Sequence, residues 1–324
     1  MAPSQTGSRY SSRMIIYVAL GANLLVAATK FAAASWTGSS AMFSEGIHSL
    51  VDMGNELLLL YGLHRGAVRP DRDHPLGYGR EVYFWSFAVA LLVFALGAGV
   101  SLHEGITQVL NPEPIQNAAA NYVVLALSAL IGGSSWWITL RTFKGEKRYS
   151  EIFGAIRRSK DPPSVIVLFE DSAALIGLGI AFVGIYLSAS LNSPVLDGVA
   201  SILIGLVLAV TAALLARETK SLLIGERADQ IITDSILRIA GEMEGVAHAN
   251  GVLTVHLAPS QILVALSLEF ADELRTSEIE TKGTELEYRI RLNHPAVVAL
   301  FVKPQSPEGY KETIERRYGR PDGT

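Results

Sequence analysis

The sequence predicts an all-α transmembrane domain of six helices, followed by a small cytoplasmic α+β domain with a ferredoxin-like αββαβ order. Apolar residues make up 49% of the 324 residues and charged residues only 18%, below the roughly 25% typical of soluble domains. The shortage of charge is local, because long stretches of the first two thirds carry almost none. After Arg217 the pattern changes to that of a soluble domain.

Six apolar segments are each near or above the roughly 20 residues that a helix needs to cross a bilayer. They lie at residues 14–35, 40–63, 82–109, 118–140, 164–189 and 193–215. We therefore expect a transmembrane domain over residues 14–216, after a cytoplasmic tail at residues 1–13. The first segment is too long for the core of a cleavable signal, so we expect it to remain as a span.

Basic residues mark one side of the predicted membrane domain. Residues 1–13, 65–80 and 141–160 contain many Lys and Arg residues, whereas the short connections on the opposite side contain none. Because cytoplasmic loops are enriched in Lys and Arg, we expect both termini in the cytoplasm and favour a bacterial inner membrane. Lys30, in the outer half of span one, is the exception, and its side chain either reaches the interface or pairs with another residue.

The segment 217–304 has the pattern helix, strand, strand, helix, strand, and is expected to form a dimerisation domain. A helix is predicted over Ala228–Met243, and a turn at residues 258–261 joins the first two strands into a hairpin. Ser277 and Glu280 suggest a capping box at the start of the second helix, before the third strand. Residues 305–324 are polar, and we expect a loosely ordered tail.

Composition and motifs argue against several classes of protein. The net charge of −4 gives no support for nucleic-acid binding. The chain has no cysteine, which excludes disulfides, thiolate metal sites and cysteine nucleophiles. It also lacks a Walker lysine loop, a dinucleotide-binding glycine fingerprint and a Gly-x-Ser-x-Gly elbow. We therefore expect neither an enzyme nor an ATP-driven pump, and no bound cofactor.

The most informative polar residues lie inside predicted span two. His48 and Asp52 are four residues apart, so a helix places them one turn apart on the same face. A carboxylate at mid-membrane costs at least ~2.5–3.5 kcal/mol on insertion scales and is retained where it faces a cavity or a partner. Imidazole and carboxylate groups suit Zn²⁺, and carboxylates also suit Mn²⁺ or Fe²⁺. Two interpretations remain open, a divalent-metal site and a polar pair that holds helices together.

Further candidate residues surround this pair. Glu45 lies three residues before His48, on the same face of the predicted helix. Three roles remain open for it: a metal ligand, part of the wall of a water-filled entry, or a solvated residue near the end of the span. Glu170 and Asp171 are adjacent in span five and point about 100° apart on a helix, so one faces the cavity better while the other faces a partner helix or holds a proton. Asp71 and His74, after span two, form either a peripheral ion site or part of a solvated loop at the membrane interface.

The chain resembles the cation diffusion facilitator family from span one to Pro304. The resemblance rests on the run from His48 to Asp52 combined with His74-Pro75-Leu76-Gly77-Tyr78-Gly79, on shorter matches near Gly38 and Pro112, and on the αββαβ tail. It implies a homodimer in a lipid bilayer that exports a divalent cation from the cytoplasm in exchange for protons. Zn²⁺ is the favoured cargo, with Mn²⁺, Fe²⁺, Co²⁺ and Cd²⁺ as alternatives.

The resemblance also implies a transport site built from paired positions one turn apart on spans two and five. His48 and Asp52 match the first pair. On span five, Asp171 takes the aspartate position, but Val167 stands where the family has His or Asp. Glu170 or a water would complete the coordination, and a subgroup of the family with a Glu-Asp pair in this helix is the expected affiliation.

The departures from the family pattern leave other functions open. In the tail, positions that often hold ligands read Ser267, Phe301 and Lys303, so we expect dimerisation through packed surfaces rather than through an ion. The incomplete pair on span five keeps open a metal-responsive membrane binding protein or scaffold without turnover. A proton-coupled carrier of an organic solute, with the acids as proton relays, is the third interpretation.

Overall fold

A computed structural model describes residues 24–115, 118–144 and 162–319 of the chain. The predicted N-terminal tail, the start of span one and most of the basic run after span four lie outside the described residues. The described residues separate into two compact units. The first contains the chain up to Arg65 and Glu81–Lys220, and the second contains Gly66–Arg80 and the chain from Ser221.

The described residues of the first unit are helical. The helices are α1 over residues 24–37, α2 at Ser40–Gly66, α3 at Glu81–Leu110 with a π-helical segment at Val93–Ala98, α4 at Ala118–Lys144, α5 at Pro162–Ser190 and α6 at Val195–Ile224. Within the described ranges, four stretches are long and apolar enough to cross a membrane: Glu81–Leu110, Ala119–Trp137, Val165–Ser190 and Val195–Ile224. These stretches correspond to predicted spans three to six.

Helix α2 falls outside this set because of its polar residues, although it is 27 residues long. Three of them, Glu45, His48 and Asn55, have between 0% and 2% of their surface exposed. These polar side chains of α2 therefore point into the protein. The mean hydropathy of the whole helix includes them, so it is lower than that of the outward face of α2. For α1, only 14 residues lie in the described part, too few for a span on their own.

Helices α3 and α6 approach each other backbone to backbone. A Cβ atom on Gly105 would lie 2.7 Å from the carbonyl oxygen of Gly198, and one on Gly198 would lie 2.9 Å from the carbonyl oxygen of Gly105. One Cβ on Gly205 would lie 2.8 Å from the side chain of Leu102. Small residues permit this close approach, and in a membrane the resulting van der Waals contact replaces the hydrophobic effect as the source of attraction.

Helix α6 is longer than the sequence pattern indicated. We expected span six to end at residue 215 and the soluble domain to begin at 217, but the helix continues through Arg217 and Lys220 to Ile224. The residues from 216 to 224 include neither Gly nor Pro, and the helix stops before Gly225, whose φ is +121°. The change in composition marks the end of the apolar stretch and not the end of the helix.

The second unit contains the elements that the sequence predicts, in the predicted order, and one more helix. They are α7 at Gln230–Gly241, β1 at Val246–Ala258, β2 at Gln261–Phe270, α8 at Thr276–Asn293, β3 at Val297–Pro304 and α9 at Pro307–Tyr318. Strand β2 lies in the centre, antiparallel to β1 and parallel to β3. The predicted hairpin is confirmed, with Ala258 opposite Gln261. Alternate residues of β2 and the inner faces of α7 and α8 form the core, in which Ile236, Leu266 and Ile290 are buried.

Two local predictions in this unit are wrong. Helix α8 begins at Thr276, and Glu278 accepts a hydrogen bond from the backbone N–H of Arg275 at 2.7 Å, so the capping residues lie two positions before the predicted pair. The tail after Pro304 was expected to be loosely ordered, but its residues Pro307–Tyr318 form α9. Ser306 caps this helix and Pro307 occupies its first turn, which is a favourable start for a helix.

Helix α9 is held against strand β1 through a glycine. A Cβ atom on Gly251 would overlap the hydroxyl group of Tyr310, so only glycine leaves room for this ring against the strand. Burial raises the pKa of Tyr310 above its ordinary value. The polar residues of α9 therefore lie mainly on its exposed face, and Tyr310 attaches the opposite face of the helix to strand β1.

Candidate cation site

The start of α2 is fixed by a carboxylate on another helix. Asp197, in the first turn of α6, is fully buried. It accepts hydrogen bonds from the hydroxyl of Ser39 at 2.8 Å, from the N–H and hydroxyl of Ser40 at 2.6 and 3.0 Å, and from the N–H of Ala41 at 3.3 Å. Asp197 thus satisfies free N–H groups at the N-terminus of α2. One turn further, the hydroxyls of Ser44 and Ser201 also form a hydrogen bond.

His48 and Asp52 lie together on the buried face of α2. The Nε2 atom of His48 is 3.4 Å from Oδ1 of Asp52, as the spacing of four residues predicts. Only 2% of His48 is exposed. Among the described residues, the Nδ1 atom of His48 and the Oδ1 atom of Asp52 have no hydrogen-bond partner. Because buried polar atoms are nearly always paired, these two atoms are candidates for binding a ligand.

Glu45, on the same face, is paired with Lys30 of α1. The Nζ atom of Lys30 is 2.9 Å from Oε2 of Glu45 and 2.8 Å from the hydroxyl oxygen of Ser49. Both charged side chains are almost completely buried, at 4% and 0% exposure. The pairing alternative for Lys30 is therefore confirmed, and one oxygen of Glu45 is already occupied by a cation of the protein.

The two adjacent acids of α5 have partners on different helices. Glu170 accepts a hydrogen bond from the side-chain N–H of Asn55 on α2 at 2.6 Å. Asp171 accepts one from the hydroxyl of Ser135 on α4 at 3.1 Å. Both acids interact electrostatically with Asp52, so the site joins α2 to α5. Asn55 was not among the predicted residues, although it lies three positions after Asp52 and continues the same stripe.

The predicted ligands do not form a closed coordination shell. In the part of the chain that the structure describes, no three His, Cys, Asp or Glu side chains are grouped so as to hold a metal ion. His48 and Asp52 supply one pair. On α5, Asp171 lies within electrostatic reach of both, and Val167 contributes no donor. The described side chains therefore supply part of a coordination shell and not a complete one.

Asp71 and His74 belong to the second unit and form a turn. One oxygen of Asp71 accepts a hydrogen bond from the hydroxyl of Tyr78 at 2.6 Å, and the other accepts from the backbone N–H groups of Asp73 and His74 at 3.0 and 2.6 Å. The Tyr78 hydroxyl, followed by the His74 N–H, holds the pKa of Asp71 below its ordinary value. Both oxygens thus stabilise the loop, and the peripheral ion site remains a prediction.

Comparison with known proteins identifies the part of the chain that contains this site. The sequence profile of the cation efflux transmembrane domain matches residues 16–224, more than half of the chain. The chain belongs to the cation diffusion facilitator family. The resemblance inferred from the motifs is thereby confirmed, as is the expectation of an integral membrane protein.

Several curated members of the cation diffusion facilitator family are similar to this chain. Metal tolerance protein C4 of Arabidopsis thaliana is 33% identical over 230 residues, which cover 70% of this chain and 50% of the relative. Proton-coupled zinc antiporter SLC30A9, mitochondrial, of Xenopus laevis is 32% identical over 278 residues, covering 84% and 49%. Its Homo sapiens counterpart is 32% identical over 213 residues, covering 65% and 38%. The chain thus spans half or less of the length of these relatives.

Proposed function

We propose that this protein exports a divalent metal cation from the cytoplasm, with Zn²⁺ as the favoured cargo, in exchange for protons. The observation that carries the proposal is the buried pair of His48 and Asp52. Each has an atom without a hydrogen-bond partner among the described residues, and the acids of α5 lie within electrostatic reach. Such a constellation is costly in a membrane helix and is retained where an ion must be handled.

Coupling to protons follows from the chemistry of the ligands. Imidazole nitrogens and carboxylates bind a metal ion only when they are deprotonated, so metal ions and protons compete for His48, Asp52 and Asp171. A relative of this chain is named a proton-coupled zinc antiporter, which supports the same exchange here. We propose that the cation enters between α2 and α5 and is displaced by protons on the other side.

In this proposal, the coordination shell of the cation is completed by a movement of helix α5. The described side chains provide pairs rather than a complete shell, and Glu170 is held by Asn55. A shift of α5 along α2 brings Asp171 to the pair at His48 and Asp52, and water completes the coordination. The Glu-Asp pair then serves two purposes, with Asp171 as the ligand and Glu170 as the contact that guides the two helices.

The membrane arrangement is also a proposal. We propose six spans, with α1 and α2 joining the four apolar stretches, both termini in the cytoplasm, and a homodimer formed partly by the α+β domain. The distribution of Lys and Arg supports this orientation. We favour a bacterial inner membrane; SLC30A9, which is similar to this chain, is named as a mitochondrial protein, so an organelle membrane is the alternative.

The experiment is uptake of Zn²⁺ and Mn²⁺ into proteoliposomes with an imposed pH gradient. We expect Asp52→Asn and Asp171→Asn each to lower the gradient-dependent flux roughly 10- to 100-fold, as loss of groups that support a metal typically does. The matched control is Asp73→Asn, the same substitution at an exposed loop residue, which should leave the flux unchanged.

Three outcomes would contradict the proposal. Full metal flux in folded Asp52→Asn would show that the buried pair has no part in transport. A folded wild-type protein that binds Zn²⁺ without moving it would support the scaffold, and one that binds neither metal would favour a carrier of another solute.

A further inference from the structure

The imidazole of His48 lies between two carboxylates on the same face of α2. Its Nε2 atom is 3.4 Å from Oδ1 of Asp52, and Glu45 lies three residues before it on α2. Among the described residues, neither Nδ1 of His48 nor Oε1 of Glu45 has a hydrogen-bond partner. Both atoms are buried donors or acceptors of the kind that a divalent cation binds.

A glycine of α5 brings these two atoms to a common point. A Cβ atom placed on Gly177 would overlap Oε1 of Glu45 and would lie 3.9 Å from Nδ1 of His48. The space beside Gly177 is therefore bordered by one carboxylate oxygen and one ring nitrogen. Any other residue at this position would fill it with carbon.

Lys30 sets the charge of this space. Its ammonium group is 2.9 Å from the other oxygen of Glu45, Oε2, and 2.8 Å from the hydroxyl oxygen of Ser49. The buried carboxylate is thus compensated by a cation that belongs to the protein. Because Lys30 neutralises part of the negative charge of Glu45, we expect Oε1 to coordinate a cation more weakly than an unpaired carboxylate would.

We propose that Oε1 of Glu45 and Nδ1 of His48 form a second station for the transported cation, with Lys30 as its fixed counter-charge. The proposal rests on the transport function proposed above and adds a step to it. The cation first binds at Asp52 and at Nε2 of His48, while Nδ1 carries the ring proton. When the cation moves to Glu45 and Nδ1 of the same ring, that proton leaves Nδ1 and a proton binds Nε2, so the ring stays neutral. Water supplies the remaining ligands, as in zinc sites with open positions.

The two stations differ in how tightly they are expected to hold the cation. Lys30 interacts with Asp52 only through longer-range electrostatics, whereas it forms a direct ion pair with Glu45. The Glu45 station is therefore the weaker one. It lies toward the N-terminus of α2, which is the outer side in the proposed orientation, and a weak site there favours release of the cation.

The test fills the second station without removing a charge. In full-length protein, Gly177→Ala places a methyl group between Glu45 and His48. Gly179→Ala is the matched control, because a Cβ there meets no atom within 4 Å and the gain in helix propensity is the same. We expect Gly177→Ala to lower Zn²⁺ flux in proteoliposomes about ten-fold relative to Gly179→Ala. Zn²⁺ binding in detergent by equilibrium dialysis should persist through the station at Asp52.

A second variant tests the role of Lys30. Lys30→Met leaves Glu45 without its counter-charge, so Zn²⁺ affinity should rise about ten-fold and release should slow. Adding Gly177→Ala to Lys30→Met should abolish that gain, because the methyl group blocks the station. If Lys30→Met fails to fold, the comparison of Gly177→Ala with Gly179→Ala still tests the proposal, because neither of those variants changes a charged residue.

The outcomes separate this proposal from the transport function on which it rests. Flux that Asp52→Asn abolishes and Gly177→Ala leaves equal to that of Gly179→Ala would overturn the second station while the transport function stands. A gain in affinity for Lys30→Met that Gly177→Ala does not diminish would also overturn it, because the whole gain would then arise at Asp52, with which Lys30 interacts electrostatically. Absence of Zn²⁺ binding and flux in folded wild type would overturn both.

Discussion

Asp197 illustrates how one buried carboxylate can organise a helix that carries a site. It accepts hydrogen bonds from Ser39, Ser40 and Ala41, and thereby supplies acceptors for N–H groups that no residue within α2 can satisfy. Its negative charge also interacts favourably with the positive end of the α2 dipole. The position of His48, two turns further along α2, therefore depends on a residue that never needs to contact the cation.

Substitution of Asp197 should expose this dependence. We expect Asp197→Ala to destabilise the protein by about 2 kcal/mol, because several buried donors lose their acceptor. Asp197→Asn keeps one acceptor oxygen and should recover part of the loss. The measurement is thermal unfolding of the detergent-solubilised protein. Equal unfolding temperatures for wild type and Asp197→Ala would contradict the capping role.

At the scale of elements, α3 and α6 form a pair that is defined by glycines. Gly105 and Gly198 bring the two backbones into contact, and Ser201 donates a hydrogen bond to the carbonyl oxygen of Ser101 at 3.0 Å. The π-helical segment Val93–Ala98 changes the phase of α3 before this contact. Since a π-turn contains an extra residue, the two halves of α3 present different faces.

The close contact predicts a strong response to a single methyl group. Gly105→Ala would place a Cβ 2.7 Å from the backbone of Gly198 and from Ile202, so the helices must separate. Overpacking of this kind costs roughly 1–3 kcal/mol. The control in the same helix is Gly99→Ala, whose Cβ would meet its nearest atom at 3.8 Å. Thermal unfolding should distinguish the two variants, and identical unfolding temperatures would argue against the glycine contact.

At the scale of the whole molecule, the absence of cysteine offers a direct way to map the chain across the membrane. The chain contains no cysteine, so any thiol introduced by mutation is the only one present. Arg69 and Glu113 are both exposed and lie in connections on either side of α3. If α3 crosses the membrane, these two positions face opposite compartments.

Labelling of single-cysteine variants should test the proposed orientation. A maleimide that cannot cross membranes should label Glu113→Cys in intact cells, and should label Arg69→Cys only after the membrane is opened. The expected result follows from the excess of Lys and Arg in the connection that contains Arg69. Reversed labelling would invert the proposed orientation, and labelling of both from outside would contradict the span at α3.

The sequence predicted those features that depend on regular spacing. The interval of four residues placed His48 beside Asp52, and the turn at residues 258–261 located the hairpin of β1 and β2. Adjacent positions also implied that Glu170 and Asp171 would diverge. Each of these inferences uses geometry that a helix or strand imposes on its own residues, so it requires no knowledge of neighbouring elements.

Features that depend on two distant segments were not predictable in this way. Asn55 meets Glu170 only because α2 packs against α5, and Glu45 meets Lys30 because α1 packs against α2. The lone lysine in span one indicated that a partner was needed but not which one. The C-terminal end of α6 and the presence of α9 have another cause. At both places many of the residues are polar, but Gly225 marks the end of α6 and Ser306 with Pro307 marks the start of α9.

The cap of α2 also has a consequence for the order in which the protein assembles during synthesis. Ser40 and Asp197 are separated by 157 positions in the chain, and a ribosome adds amino acids from the N-terminus onward. Throughout the synthesis of the intervening residues, the first turn of α2 lacks its carboxylate. The N-terminus of α2 therefore reaches its final arrangement only when α6 has been synthesised. A nascent chain that contains only α1 to α5 still lacks the carboxylate that caps α2.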